Sequence, residues 1–422
     1  MKSTSIALLP QHRISSLSRK QHIARDMLFK LLGNLNQGCL RIHEQGELYL
    51  FGQPVDMSDL IADIYVQDAR LYADIIFGGS IGAGEAYMDG YWTTPNLTNV
   101  MRLFARNLDA LDAMDAKQSV IGQYLLKVFH WFNRNTKEGS RKNISAHYDL
   151  GNDFFSLFLD QTMMYSAAIY PTPDATLAEA SIYKLQRVCE KLQLNANDHL
   201  LEIGTGWGGM AIYAAQHYGC RVTTTTISRE QRDCALARVA EAGLADRVTV
   251  LFDDYRDLTG QFTKLVSIEM IEAVGHEHYD QYFSTCSRLL ASNGLMLLQA
   301  ITIADQRYEM ARRSVDFIQR YIFPGGSLPS VTVISDWVTR KTDMNVVHVE
   351  DIGEHYAQTL KHWRDGFDAQ LDAVRAQGFD ERFIRMWEFY LCYCEGGFIE
   401  RSIGTAQVLL AKPQYRSGYF QL

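Results

Sequence analysis

A chain of 422 residues exceeds what one hydrophobic core normally supports, so two domains are expected. A hydrophobic content of 47% with 21% charged residues fits a globular protein, and the net charge of −8 argues against broad nucleic-acid binding. No apolar run reaches the roughly 18 residues of a membrane span, and the first 20 residues lack the apolar stretch of a secretory signal. The seven cysteines are scattered without zinc-type spacing, which implies a reducing cytoplasm, buried thiols and no metal.

The first 126 residues read as a smaller α+β domain. Residues 39–43 and 47–51 predict strands joined by a turn at Gln45-Gly46. Residues 68–77 predict a helix ended by Gly78-Gly79-Ser80, and Pro95-Asn96-Leu97 opens another running to about Asp112. Residues 127–143 read as a linker. In it Lys127, Arg134, Lys137, Arg141 and Lys142 face only Glu138, with Phe129, Trp131 and Phe132 among them. Such a segment is either a solvated connection or a surface for anionic lipid, worth ~1 kcal/mol per basic residue at the bilayer.

Residues 144–422 read as a catalytic domain in which strands and helices alternate. Helix 175–192 precedes strand 199–203, helix 210–218 and strand 220–226. Helix 229–242 follows, then strands 247–252 and 265–269, helix 278–290 and strand 294–301. Helices at 356–377 and 381–399 and a late strand at 405–411 complete the pattern. The alternation predicts an α/β, mainly parallel, doubly wound Rossmann-like sheet with helices on both faces.

Between the strand at 199–203 and its helix lies Glu202-Ile203-Gly204-Thr205-Gly206-Trp207-Gly208-Gly209. Glycines there let a ligand lie against bare backbone at the carboxyl end of the sheet. The acid before the turn suits a ligand with a positive group, such as an amino acid moiety. Thr226, Ile227 and Gln231 follow the second strand, where a ribose would lie. Asp254 and Tyr255 follow the third, where a carboxylate can accept from an adenine amino group and a ring can stack.

Several strings now coincide. They are His147-Tyr148-Asp149-Leu150-Gly151-Asn152-Asp153-Phe154-Phe155, Met164-Tyr165-Ser166, the glycine turn, Thr226-Ile227-Ser228-Arg229-Glu230-Gln231, Glu272-Ala273-Val274-Gly275, Tyr321-Ile322-Phe323-Pro324-Gly325-Gly326-Ser327 and His355-Tyr356-Ala357-Gln358. In this order they resemble the cyclopropane fatty acid synthase family, which includes the mycolic acid methyltransferases. Gly79-Ser80-Ile81-Gly82-Ala83-Gly84-Glu85-Ala86-Tyr87-Met88 is similar to the small domain of the bacterial synthases.

The resemblance implies a class I methyltransferase working from the cytoplasm at the inner membrane face, on an unsaturated acyl chain of a phospholipid. It implies an N-terminal domain that orients lipid and supports a homodimer. S-adenosylmethionine would be the methyl donor, surrounded by Tyr165, Ser166, Gly204, Gly206, Thr226, Gln231 and Tyr255. Glu202, Gly208, Ile227 and Asp254 complete that candidate set. A carbocation would form on the chain, and a bound bicarbonate would take a proton so that a cyclopropane closes. By resemblance Glu272 and Tyr356 hold the bicarbonate, with backbone groups near Ala167 and Ile301. Two departures bear on the product. Ala167 stands where cyclopropane synthases usually carry Cys, and Gln299 where they usually carry His. A glutamine can hydrogen-bond an anion but cannot carry a proton away as imidazole can. C-methylation without ring closure, as toward furan or methyl-branched fatty acids, is therefore the alternative outcome. A lipid-binding protein that has lost catalysis is a third reading, disfavoured by Glu272, Tyr356 and the intact turn.

Overall fold

The computed structural model describes residues 18–108 and 150–416. It divides into two units, Met1–Leu125 with Phe379–Glu400, and Leu126–Gly378 with Arg401–Leu422. The basic stretch 127–143, His147 and the last residues of the helix expected to reach Asp112 lie outside the described residues.

In the first unit a capping box at Ser18 and Gln21 starts α1 (Arg19–Leu32). The strands β1 (Cys39–Glu44), β2 (Glu47–Gly52), β3 (Ile61–Val66) and β4 (Trp92–Thr93) form a sheet in the order β2-β1-β3-β4. The helical span α2 (Arg70–Met88) is two helices joined at a kink, so the first ends within the expected Gly78-Gly79-Ser80. The kink is at Gly79, where φ is 56°, and a second helix runs on from it. Continuation depends on Gly82, because a Cβ there would lie 1.9 Å from the Asp74 carbonyl oxygen. The helix α3 (Leu97–Arg106) follows.

A difference from expectation concerns the domain boundary at 144–422. The helix Glu381–Ile399 belongs to the first unit, not to the catalytic part. Polar contacts explain the assignment: Tyr87 donates to Glu388 at 2.7 Å and Thr98 to Glu395 at 2.9 Å, while Arg102 and Arg106 both pair with Glu400.

The second unit carries a seven-stranded sheet. Its parallel part is β5 (His199–Ile203), β6 (Arg221–Thr225), β7 (Val248–Leu251), β8 (Phe262–Ile268) and β9 (Leu290–Ile303). At the edge, β10 (Asn345–Asp351) and β11 (Ile403–Ala411) pair antiparallel, giving the order β10-β11-β9-β8-β5-β6-β7. Its longer helices are α4 (Leu177–Lys191), α5 (Gly209–Tyr218), α6 (Arg229–Glu241), α7 (Tyr279–Leu289), α8 (Val331–Lys341) and α9 (Gly353–Ala369). The helix expected over 356–377 is two, broken at Gln370.

Alternation of side chains along the strands builds one core on each face of this sheet. Leu201, Leu265, Met296 and Leu298 pack on one side; Leu200, Val266, Leu295 and Leu297 pack on the other. Each such leucine contributes roughly 1.5–3 kcal/mol by burial. Because β5 pairs with β6 on one flank and β8 on the other, the chain order reverses at the carboxyl end of β5. That switch point is where an open α/β sheet presents a crevice. Among the described residues no helix is long and apolar enough to cross a membrane, and no cluster of acids, histidines and cysteines could hold a metal.

Candidate active site

The glycine turn sits at this switch point. Gly204, Gly206 and Gly208 all take positive φ, at 102°, 51° and 85°. The Gly204 and Thr205 amides donate to the Thr225 carbonyl at 3.1 Å, so the turn is tied to β6. Glu202 is buried at the end of β5, and its Oε2 has no hydrogen-bond partner among the described residues. Burial pushes this carboxyl up to about 8. A ligand ammonium is the partner such an oxygen lacks, so the site fits the amino acid end of S-adenosylmethionine.

The ribose and adenine candidates are also ordered. Thr226 donates to Gln231 Oε1 at 3.0 Å, and Ser228 caps α6 through the Gln231 amide, which fixes that side chain; Ile227 lies between them, half-buried. Tyr255 packs edge-on to Tyr282 at 5.7 Å. Asp254 is ordered by its neighbour. Both of its oxygens bond Arg256, and it caps the following turn through the Arg256 amide, so it shapes the loop that carries Tyr255. On the other flank Ser166 Oγ accepts from Lys184 Nζ at 2.9 Å. Lys184 is fully buried, and desolvation lowers it to about 8, opposed by the charges of Glu269, Asp160 and Glu202.

One strand away the geometry centres on Glu269, which sequence reasoning passed over as the end of a buried strand. Its Oε1 accepts from the Ala167 amide at 2.9 Å and from Gln299 Nε2 at 2.8 Å, and its Oε2 accepts from the Tyr356 hydroxyl at 2.7 Å. Gln299 spends its other N–H on the Ala167 carbonyl at 3.3 Å. Its oxygen accepts from Gln407 Nε2 at 2.9 Å, and Gln407 in turn accepts from Lys191, which pairs with Glu350. This chain sets which way the Gln299 amide points. Glu269 has φ of 49°, a left-handed conformation that costs a Cβ-bearing residue roughly 1–2 kcal/mol.

Glu272 is placed differently. Its Oε1 accepts from the Ile301 amide, while its Oε2 is buried without a partner among the described residues. Burial first, and the nearby Glu269 charge second, push this carboxyl up to about 8. Burial also raises Glu269, opposed by its three donors. Both residues keep intermediate exposure.

The expected bicarbonate holders are therefore together, but their donors are in use. The Ala167 amide, Gln299 and the Tyr356 hydroxyl serve Glu269, and the Ile301 amide serves Glu272. These residues do not fit an additional bicarbonate. Aromatic rings adjoin the group: Tyr165 lies 5.0 Å from Trp363 and 5.1 Å from Phe155, and Tyr356 stands edge-on to Trp363 at 6.0 Å. Trp363 also escaped sequence reasoning. Its signal was a tryptophan two turns after Tyr356 on the same helix face.

Residues 135–408 match the family described as mycolic acid cyclopropane synthetase. The tuberculostearic acid methyltransferase of Mycobacterium tuberculosis is 40% identical over 76% of this chain and 76% of its own length. The cyclopropane-fatty-acyl-phospholipid synthase of Escherichia coli is 38% identical over 83% of this chain and 88% of its own. Among solved structures, mycolic acid cyclopropane synthase CmaA1 with SAH and CTAB superposes with a TM-score of 0.60 at 33% identity, covering 64% of this chain and 98% of that one.

Proposed function

Because the chain belongs to the mycolic acid cyclopropane synthetase family, we propose that it transfers a one-carbon unit from S-adenosylmethionine to the double bond of an unsaturated phospholipid acyl chain and closes a cyclopropane ring. The chain is an S-adenosylmethionine-dependent transferase acting on lipid acyl chains. The observation that carries the finer reading is a carboxylate held by three donors next to the cofactor turn.

S-adenosylmethionine supplies an electrophilic methyl group, and its transfer to the alkene leaves positive charge on the acyl chain. Glu202 and the glycine turn hold the amino acid end, Thr226 and Gln231 the ribose, and Tyr255 the adenine. Tyr165, Trp363 and Tyr356 offer ring faces to the developing cation, each worth ~0.5–2 kcal/mol, and they keep water from capturing it. A nearby carboxylate then removes a proton from the new methyl group, and the C–H electron pair closes the ring.

One observation favours a second product. Ala167 and Gln299 replace the residue types usual in ring-forming relatives, and a methyltransferase relative is as similar as the synthase. Expression in a host without its own synthase, fed trideuteromethyl methionine, separates the two. Two retained deuteriums with loss of the alkene support cyclopropanation. Three with a surviving alkene refute it in favour of C-methylation.

Access to lipid belongs to the same proposal. Lys127, Arg134, Lys137, Arg141 and Lys142 would draw the chain to anionic phospholipid, and a homodimer through the first unit would present two sites to one surface. Replacing the basic residues at 134–142 should weaken binding to anionic vesicles, most visibly at low salt. Unchanged affinity would leave the segment a plain connection.

A further inference from the structure

We propose that Glu269 is this enzyme's resident general base, a chain-borne carboxylate standing where a bound anion would otherwise have to be held. The inference rests on the one-carbon transfer read above. Three observations carry it. First, the Ala167 amide, the Gln299 amide and the Tyr356 hydroxyl converge on this one side chain from three separate elements. A backbone amide or a hydroxyl donates once, and the second N–H of Gln299 is engaged by the Ala167 carbonyl, so no donor in the set is left for a free anion. Second, Gln299 is locked as a donor toward Glu269 by Gln407, which is itself held by Lys191. A long buried polar chain thus serves the orientation of one carboxylate. Third, Glu269 lies at the carboxyl end of β8 in the left-handed region, and Met270, the next residue, is packed against Gly204 of the cofactor turn: an added Cβ on Gly204 would lie 3.4 Å from it. A strained backbone kept beside the cofactor turn points to function rather than packing.

The step balances without another reactant. When the methyl group has moved, the sulfonium has become a neutral thioether and the acyl chain carries the positive charge. The Glu269 carboxylate takes a proton from the new methyl carbon. The C–H bond breaks, and its electron pair forms the third ring bond. Glu269 leaves the step as a neutral carboxyl, and the proton goes to solvent after the lipid departs. A proton beside a carbocation is acidic enough for a carboxylate holding three hydrogen bonds to remove it.

The test uses the full chain with vesicles of unsaturated phosphatidylglycerol, in buffer freed of carbon dioxide and then with added bicarbonate. The wild-type rate should not change by more than about twofold. Glu269→Gly relieves the left-handed strain and frees three donors at once. Its rate should fall by about 10²-fold or more, and millimolar bicarbonate or formate should restore at least about tenfold. Its affinity for S-adenosylmethionine should stay within about threefold. Glu269→Gln, which keeps the shape, should lose the rate without rescue; it decides the matter if the glycine variant does not fold. A wild-type rate that collapses without bicarbonate, or a Glu269→Gly rate equal to wild type without added anion, overturns the proposal. A turnover-independent readout separates this inference from the reading it rests on. Labelled bicarbonate observed by carbon NMR should bind Glu269→Gly and not wild type; binding to wild type overturns the inference. Wild type that puts no label in lipid would refute the proposed function instead.

Discussion

The two ends of the crevice are built in opposite ways. The cofactor end is mostly backbone, and eight consecutive residues, 202–209, make its centre. The reacting end is mostly side chain. Ala167, Glu269, Gln299, Tyr356 and Gln407 reach it from five places spread over 240 positions of chain (407 − 167). The first end should therefore be most sensitive to an added methyl group, and the second to a changed side chain.

The largest expected effect is at the second end. Glu269→Gln should lower turnover by about 10²–10⁴-fold while calorimetry finds S-adenosylmethionine bound within about threefold. A matching loss of binding would mean that the ends are not separate. Next comes Gly204→Ala. At φ of 102° a methyl group is strained and meets Met270, so cofactor affinity should fall by about tenfold or more.

Proton uptake gives a third test. The ordinary carboxyl value is 4.5, and Glu202 and Glu272 sit near about 8 in the folded chain. Between these values the folded state binds more protons than the unfolded state. The stability they contribute is complete below 4.5 and is lost as pH rises toward 8. A cofactor ammonium favours ionised Glu202, so binding at pH 7 should release close to one proton, measured by calorimetry in buffers of different ionisation enthalpy. Glu202→Gln should abolish that release. Smaller still is Glu272→Gln. A carboxyl near about 8 is mostly neutral at pH 7, so the amide should keep turnover within about tenfold. A loss as large as that of Glu269→Gln would make Glu272 the base. Gln407→Leu should cost only a few fold, because it acts through the orientation of Gln299.

The same contrast explains what could be read from sequence. The glycine turn, β5 and β6 are local, so spacing alone places them. Glu269 was hidden because it closes an apolar strand and reads as its last polar residue. The rule applied to Glu202, an acid at the carboxyl end of a buried parallel strand, would have found it. Gln299 was legible only as a departure, and its partner Gln407 not at all, since β9–β11 pairing is antiparallel and long-range. The helix Glu381–Ile399 has an amphipathic pattern that fixes its existence, but its contacts with Tyr87 and Thr98 join residues some 300 positions apart. The break in α2 was legible because its glycines are local, but the close approach of Gly82 to the Asp74 carbonyl was not.

The central claim is that a carboxylate of this chain takes a proton from the carbon just transferred. Mass spectrometry of lipid formed by the purified enzyme from trideuteromethyl S-adenosylmethionine tests it most directly. The expected product carries two deuteriums and no alkene, and Glu269→Gln forms about 10²-fold less of it or lower. A product of the wild type that keeps all three deuteriums would contradict the account, because no proton would then have left the methyl group.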